Sequence, residues 1–484
     1  MSLKSKTVKG TAWSFLDNIA NQGVSFGVGI VLANLLTPEE YGLIGVILIF
    51  IAVFNAIVDS GFSNALIRRN DIGDSEYNTV FIANLGMSIL LFLVMFIGAP
   101  QIGRFFKQPE LVSLTRVMGI VIIINAFAII QRTILIKQIN FKLQTKISLV
   151  SSLFSGAIGI GMAIFGFGVW SLVGQQISRQ SINTFLLWMW NSWRPRIYFS
   201  TRSFRELFGF GWKLMLSTII DTTWKEVYQI VIGKFYSPAM LGLYTRAKQF
   251  DTIFSSNLTS VVQRVSYPVL SSIREDKARL KSAYKKVIKI TMLVSFCCML
   301  GMAAIADSMI HVLIGEKWMA AVPMLQILCF QLMLYPLHAL NLNMLQIEGR
   351  SDLFLKLEII KKTISVGPIL IGIFVGIYWM LAASVVTGFI SYYLNAFYSG
   401  RLLGYSISEQ VWDILPSFLI AIIAALITYG VSFIPVSCYI MLPLQLIIGF
   451  FVLISILEVA KLAEYMELKS IFKNTYSKLC LSFR

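Results

Sequence analysis

Long apolar runs repeat along this chain from one end to the other, and no other feature constrains its fold as tightly. Fourteen of them lie near residues 10–36, 41–67, 78–100, 112–136, 147–166, 169–192, 207–236, 241–267, 288–312, 319–346, 357–376, 379–400, 412–433 and 439–460. A bilayer core about 30 Å thick is crossed by about 20 helical residues. The 484 residues are 57% apolar, which supplies that length about fourteen times over. Charged residues make up 13%, roughly half the share in a soluble domain. This composition excludes a cytoplasmic enzyme, a secreted disulfide domain and a disordered chain. The runs are continuous rather than alternating, which also excludes an outer-membrane barrel. The chain is predicted to be an all-α polytopic membrane protein.

The net charge of +17 would point to nucleic acid in a soluble protein. Here its distribution gives another answer, because Lys and Arg resist translocation and collect in cytoplasmic loops. With the N-terminus inside, cytoplasmic segments hold thirty basic residues and external loops hold three: Arg104, Lys107 and Lys317. Both termini are therefore expected in the cytoplasm, and no nucleic-acid partner is expected. The most basic connection, 269–289, reads as a solvated or headgroup-touching helix, with a docking site for a cytoplasmic partner as the lesser alternative. The cysteines (Cys297, Cys298, Cys329, Cys438 and Cys480) lack metal or redox spacing, and His311 and His338 stand alone, so no metal site is expected. The N-terminal segment, with Asp17, Asn18, Asn21 and Gln22, is too polar for a cleavable signal. The chain has no P-loop, and its longest external loop is about eleven residues, which leaves no room for a membrane glycosyltransferase or polymerase site.

A half-repeat is visible. Thr37-Pro38-Glu39-Glu40-Tyr41-Gly42-Leu43 follows the first run, and Ser237-Pro238-Ala239-Met240-Leu241-Gly242-Leu243 follows the seventh, 200 residues later. Glycine-aromatic entries, Gly10–Trp13 and Phe210–Lys213, precede the two runs. Six helices per half is an even number, so both halves keep one orientation and a pseudo-twofold along the membrane normal relates them. The expected organisation is an N-terminal lobe at 1–200 and a C-terminal lobe at 201–403. Two extra helices at 404–460 and a basic tail at 461–484 complete the chain.

Four stretches carry a family resemblance: LANLLTPEEYGLIGV (32–46), GFGVWSLVGQQ (166–176), YSPAMLGLYTRAKQF (236–250) and YPVLSSIREDKARLKSAYKK (267–286). In their order and helix context the chain resembles the Wzx-type polysaccharide flippases of the MOP (multidrug/oligosaccharidyl-lipid/polysaccharide) exporter superfamily, in the colanic-acid/teichuronic-acid branch. The resemblance implies a carrier in the bacterial inner membrane. It would move an undecaprenyl-diphosphate-linked oligosaccharide to the outer leaflet by alternating access, among membrane lipid and beside polysaccharide polymerase machinery as a candidate partner. No cofactor is implied; a proton or sodium gradient is the candidate driving force. A multidrug or cation antiporter of the same superfamily is the alternative.

The residues themselves add a set of charges inside the runs. Each is costly at the bilayer centre, by at least ~2.5–3.5 kcal/mol, so each must pair or face water. The cations are Arg116, Arg179, Lys213, Lys225, Lys234, Arg246, Lys248 and Arg264, against the acids Asp17, Asp59, Asp221, Glu226 and Asp251. The positive surplus suits an anionic diphosphate better than a cationic drug. Arg179 lies on a stripe with Gln175 and Asn183, and Asp221–Lys225, Asp17–Asn21 and Asn55–Asp59 share the one-turn spacing that keeps one helix face. Arg179, Lys225, Lys213, Arg246 and Lys248 are therefore the candidate anion-binding residues. Asp17, Asn21, Asp59, Asp221 and Asp251 are candidates for a polar lumen or ion coupling, with helix-to-helix pairing as the competing role. Trp188, Trp190 and Trp193 read as an interfacial belt. Epitope tags inserted at residue 105 or 316 should be reached by an impermeant label from outside, and tags within 269–289 or at 480 only after permeabilisation. An externally labelled C-terminal tag would overturn the helix count.

Overall fold

The computed structural model describes residues 20–69 and 71–470. Asp17, the Gly10–Trp13 entry and the tail beyond 470 lie outside the described residues. What is described is helical. The helices are α1 (residues 20–35), α2 (Pro38–Asp59), α3 (Phe62–Arg68), α4 (Asp74–Phe106), α5 (Leu111–Met118), α6 (Ile120–Lys137), α7 (Phe141–Ile164), α8 (Val169–Trp190) and α9 (Thr201–Phe235). They continue as α10 (Pro238–Ser272), α11 (Lys277–Ile314), α12 (Val322–Leu332), α13 (Tyr335–Ile347), α14 (Ser351–Ile364), α15 (Val366–Phe374), α16 (Ile377–Leu403), α17 (Ile407–Gly430), α18 (Cys438–Ala460) and α19 (residues 463–470). Among the described residues nine spans are long and apolar enough to cross a membrane, and each coincides with a run read from the sequence. The five runs outside this set fall on α1, α8, α9, α10 and the α14–α15 rod. The last four are interrupted by charged and amide residues, which lowers their hydropathy without shortening them. The chain is an all-α polytopic membrane protein.

Local chemistry explains the breaks. The repeated turn is a helix start: Thr37 and Glu40 form a capping box on α2, with Pro38 in the first turn. Ser237 plays the same capping part for α10, accepting from the Met240 amide at 3.2 Å. Gly166-Phe167-Gly168 forms the turn between α7 and α8.

The chain divides into two compact units, Met1–Thr245 and Arg246–Arg484, with the division falling inside α10. In the first unit, Phe62, Leu66, Phe81, Ile130, Ile134 and Leu207 form a buried core. Trp188 and Trp193 pack into it, with ring centroids 6.2 Å and 5.9 Å from Phe81, and the Trp188 indole donates to the Phe127 carbonyl at 2.9 Å. Of the expected tryptophan belt, only Trp190 is exposed. The other two are anchored because aromatic partners on α4 and α6 reach them.

The repeated motif also packs against itself. A Cβ on Gly42 would lie 1.9 Å from the Pro238 carbonyl oxygen, and one on Gly242 would lie 1.8 Å from the Pro38 carbonyl oxygen. Backbone meets backbone at both points, so neither site accepts a side chain without moving a helix. Among the described residues, Gly23 and Gly27 in α1, spaced for close helix packing, have nothing within 4 Å of an added Cβ.

In the second unit α11 packs against α12, α17 and α18. Its N-terminal turns carry the basic stretch, which keeps its solvated face and also forms an ion-pair ladder. Lys277 meets Glu348 (2.7 Å), Lys281 meets Glu409 (3.1 Å), Lys285 meets Asp413 (2.9 Å), Lys286 meets Glu467, and Lys289 meets Glu464 (3.5 Å). Lysines four apart share one face, and the acids come from the α13–α14 turn, α17 and α19. Glu464 is 4% exposed and also accepts from the Ser417 hydroxyl at 3.3 Å.

Two outcomes follow from this packing. Gly42→Ala and Gly242→Ala should each destabilise the purified protein by about 1–3 kcal/mol, read as a lower melting temperature. Gly45→Ala, whose added Cβ would find its nearest atom at an ordinary 3.4 Å, should melt near wild type. Lys289→Met should cost about 3 kcal/mol by leaving Glu464 buried and unpaired, and Glu464→Gln in the same chain should restore most of that loss.

Candidate functional site

In the first unit the polar side chains near mid-span form a connected set. Asn125, on α6, donates through Nδ2 to Asn55 Oδ1 on α2 at 2.9 Å. Its own Oδ1 accepts from Gln180 Nε2 on α8 at 2.9 Å. Thr184, one turn further along α8, donates to the Ile124 carbonyl at 3.2 Å. Arg179 sits at the middle of α8 and is half-buried. Among the described residues no carboxylate, amide or carbonyl lies within hydrogen-bond or ion-pair distance of its guanidinium. Asn183, one turn away, keeps a buried Oδ1 without a partner among the described residues.

Towards the end of α2, Asp59 accepts from the Ser63 amide at 3.3 Å and from its hydroxyl, and Thr133 donates to Ser63 at 3.1 Å. The charge of Arg132 on α6 acts on Asp59 without a direct ion pair. Asn21 bridges α1 to α7, donating to Ser148 at 2.7 Å and accepting from Ser152 at 3.0 Å.

On α9, Lys225 and Asp221 form an exposed pair one turn apart at 2.7 Å, and Lys213 is exposed further towards the helix start. None of these bonds to Arg179 or Asp59. Arg116 and Lys234 turn to backbone: Arg116 donates to the Phe96 carbonyl at 3.4 Å over the Phe96 ring, and Lys234 donates to the Phe105 carbonyl at 2.5 Å over the Phe105 ring. A carbonyl plus a ring face is how a cation near a helix end is accommodated without a counter-ion.

In the second unit Arg246 is buried, 5% exposed. It donates to Gln249 at 2.5 Å and stands 5.8 Å from the centre of the Trp318 ring. Lys248, two residues on, is half-buried. Asp251 is 0% exposed, and neither carboxylate oxygen has a hydrogen-bond partner among the described residues; buried Cys329 lies within reach of its charge. Beside these, Tyr284 donates to Asn341 at 3.0 Å, Ser399 donates to the same oxygen, and Asn395 contacts His338 at 3.3 Å. This second polar network joins α11, α13 and α16, and Asn341, Asn395 and Ser399 are fully buried in it.

Three groups escaped the sequence reading. Arg132 is one of the thirty basic residues credited to cytoplasmic segments by the charge count, whereas α6 runs through it to Lys137; its seven-residue spacing from Asn125, one helix face, is the signal the sequence offers. Asn125 and Gln180 each stand alone in their own helices, and their partners lie 70 and 55 residues away, so no local pattern marks them. The buried His338–Asn395 contact was hidden for the same reason.

A profile described as polysaccharide biosynthesis protein matches residues 31–323, more than half of the chain. The chain is 27% identical over 439 residues to the teichuronic acid biosynthesis protein TuaB of Bacillus subtilis, covering 89% of this chain and 90% of that protein. It is 24% identical to the lipopolysaccharide biosynthesis protein WzxC of Escherichia coli, covering 77% and 76%. Among solved structures, the lipid II flippase MurJ in an inward closed conformation matches with a TM-score of 0.75 at 14% identity, over 95% of this chain and 99% of that one. An inward-facing multidrug resistance MATE transporter of the MOP superfamily matches with a TM-score of 0.61 at 17% identity, over 82% and 94%. At these identities the structures share the fold. With the profile spanning the end of α1 through to the start of α12, this chain belongs to the polysaccharide biosynthesis protein family.

Proposed function

We propose that the chain is a flippase that carries an undecaprenyl-diphosphate-linked oligosaccharide across the bacterial cytoplasmic membrane by alternating access, with both termini in the cytoplasm. One observation carries the anionic substrate: Arg179 stands half-buried at mid-span with no counter-ion among the described residues. A guanidinium so placed must face water or an anion, and its fork of donors fits phosphate oxygens. The relatives named for teichuronic acid and lipopolysaccharide biosynthesis support the glycan part of the reading. Lys213 and Lys225 on α9 are further anion contacts in this reading, with Asn21, Asp59 and Asp221 as polar groups of the same unit, and Arg246 and Lys248 on α10 are separate anion contacts of the second unit. Asp251 is the candidate coupling residue, since its two open carboxylate oxygens suit a proton or a sodium ion. The polymerase machinery that consumes the flipped glycan is the candidate protein partner.

Flipping of a fluorescent undecaprenyl-diphosphate-linked glycan in proteoliposomes tests this. Arg179→Ala should slow it about 10- to 100-fold, the worth of one charge-assisted hydrogen bond, with melting temperature unchanged, and Arg179→Lys should retain part of the rate. Asp251→Asn should abolish stimulation by an imposed proton or sodium gradient while leaving downhill flipping. Export of a cationic dye with no movement of the glycan lipid would replace this reading with the multidrug one.

A further inference from the structure

The two polar networks differ in access. In the second unit Asn341, joined to Tyr284 and Ser399, is fully buried with Ser399, and so is Asn395 against His338. They fasten three helices and nothing can reach them. The Asn55–Asn125–Gln180 chain of the first unit has similar chemistry and also joins three helices, but all three of its residues are half-buried. Each carboxamide offers two N–H donors and one carbonyl acceptor. The chain uses the Asn125 carbonyl and one of its N–H groups, and it leaves the two N–H groups of Asn55 at one end and the carbonyl of Gln180 at the other. None of these open atoms is among the buried polar atoms that lack partners, in contrast to the amides of Asn84 or Gln131. They are therefore reachable at mid-span, where hydrocarbon cannot satisfy them.

A run of amides with donors at one end and an acceptor at the other matches the donor-plus-acceptor character of neighbouring sugar hydroxyls. Bonds in such a chain polarise one another, so occupying one end strengthens the other. Gln180 directly follows Arg179 on α8, which sets the amide chain beside the guanidinium assigned to the diphosphate. Resting on the flippase reading above, we propose that Asn55, Asn125 and Gln180 form the glycan-recognition part of that site, binding hydroxyls of the sugar next to the lipid phosphates. Arg179 then reads the carrier lipid, common to many substrates, and the amide chain reads the sugar.

The test uses the full-length protein in nanodiscs with two probes, undecaprenyl diphosphate and undecaprenyl-diphosphoryl-glucose. Gln180→Met and Asn125→Leu should weaken binding of the glycosylated lipid about tenfold, the scale of a lost hydrogen bond with a stranded partner. Affinity for the bare lipid should stay within about twofold by the same argument, since no phosphate contact is removed. Asn125→Ser keeps a small uncharged donor and acceptor at this position, so it reports even where the leucine variant fails to fold; it should lower the ratio of the two affinities with a melting temperature near wild type. Equal losses for both lipids, or an unchanged ratio in every folded variant, would make the chain a helix fastener and overturn the proposal. Wild-type protein that binds neither lipid would instead bring down the flippase reading, and the sugar assignment with it.

Discussion

Hydrocarbon offers no hydrogen-bond partner, and the rest of this structure depends on that. Every backbone amide must be satisfied within its own segment, which leaves helices as the only option for a chain without barrel alternation. The same scarcity governs the side chains. Arg116 and Lys234 resort to carbonyls and ring faces, Trp188 reaches a carbonyl on α6, and Asn21 is held between two serines of α7. Helix starts are capped by Thr37 and Ser237 before the chain re-enters the membrane. A polar atom that has found no such arrangement is therefore informative, and the half-buried guanidinium of Arg179 and the open ends of its neighbouring amide chain stand out against this background.

Burial, more than residue type, separates fastening from function. Asn341 and Asn125 are both mid-helix asparagines bonded to residues on other helices, yet one is sealed and the other is reachable. Likewise Lys289 faces a sealed carboxylate, whereas Lys225 meets Asp221 in the open. A sequence shows only the residue type, so it presents these pairs as equals.

That limit explains what could be read in advance. The apolar runs gave the fold class, because a segment of about 20 apolar residues has one stable environment. The turn at Thr37-Pro38 and the glycine pair at 166 and 168 were legible because capping and turn chemistry is local. Arg179 and its stripe were legible because the pattern lies on one helix. The ladder from Lys277 to Lys289 was not: its lysines are clustered, but their acids are scattered from Glu348 to Glu467, so the stretch looks like unpaired charge. A count of basic residues rewards placing each one in the cytoplasm, and so it hides Arg132 inside α6. The amide chain draws on three helices and could be seen only once they were packed.

The self-packing of the repeated turn has a consequence for how this chain can change over generations. Gly42 lies against the Pro238 carbonyl and Gly242 against the Pro38 carbonyl, which is the reciprocity of an isologous dimer contact kept within a single polypeptide. In a true dimer one codon alters both sides at once. Within one chain the two sides mutate independently, so a change on one must be tolerated by a partner that has not changed. The seam can then drift only by paired substitution, and the two glycine-proline motifs should remain alike while the surrounding helices diverge.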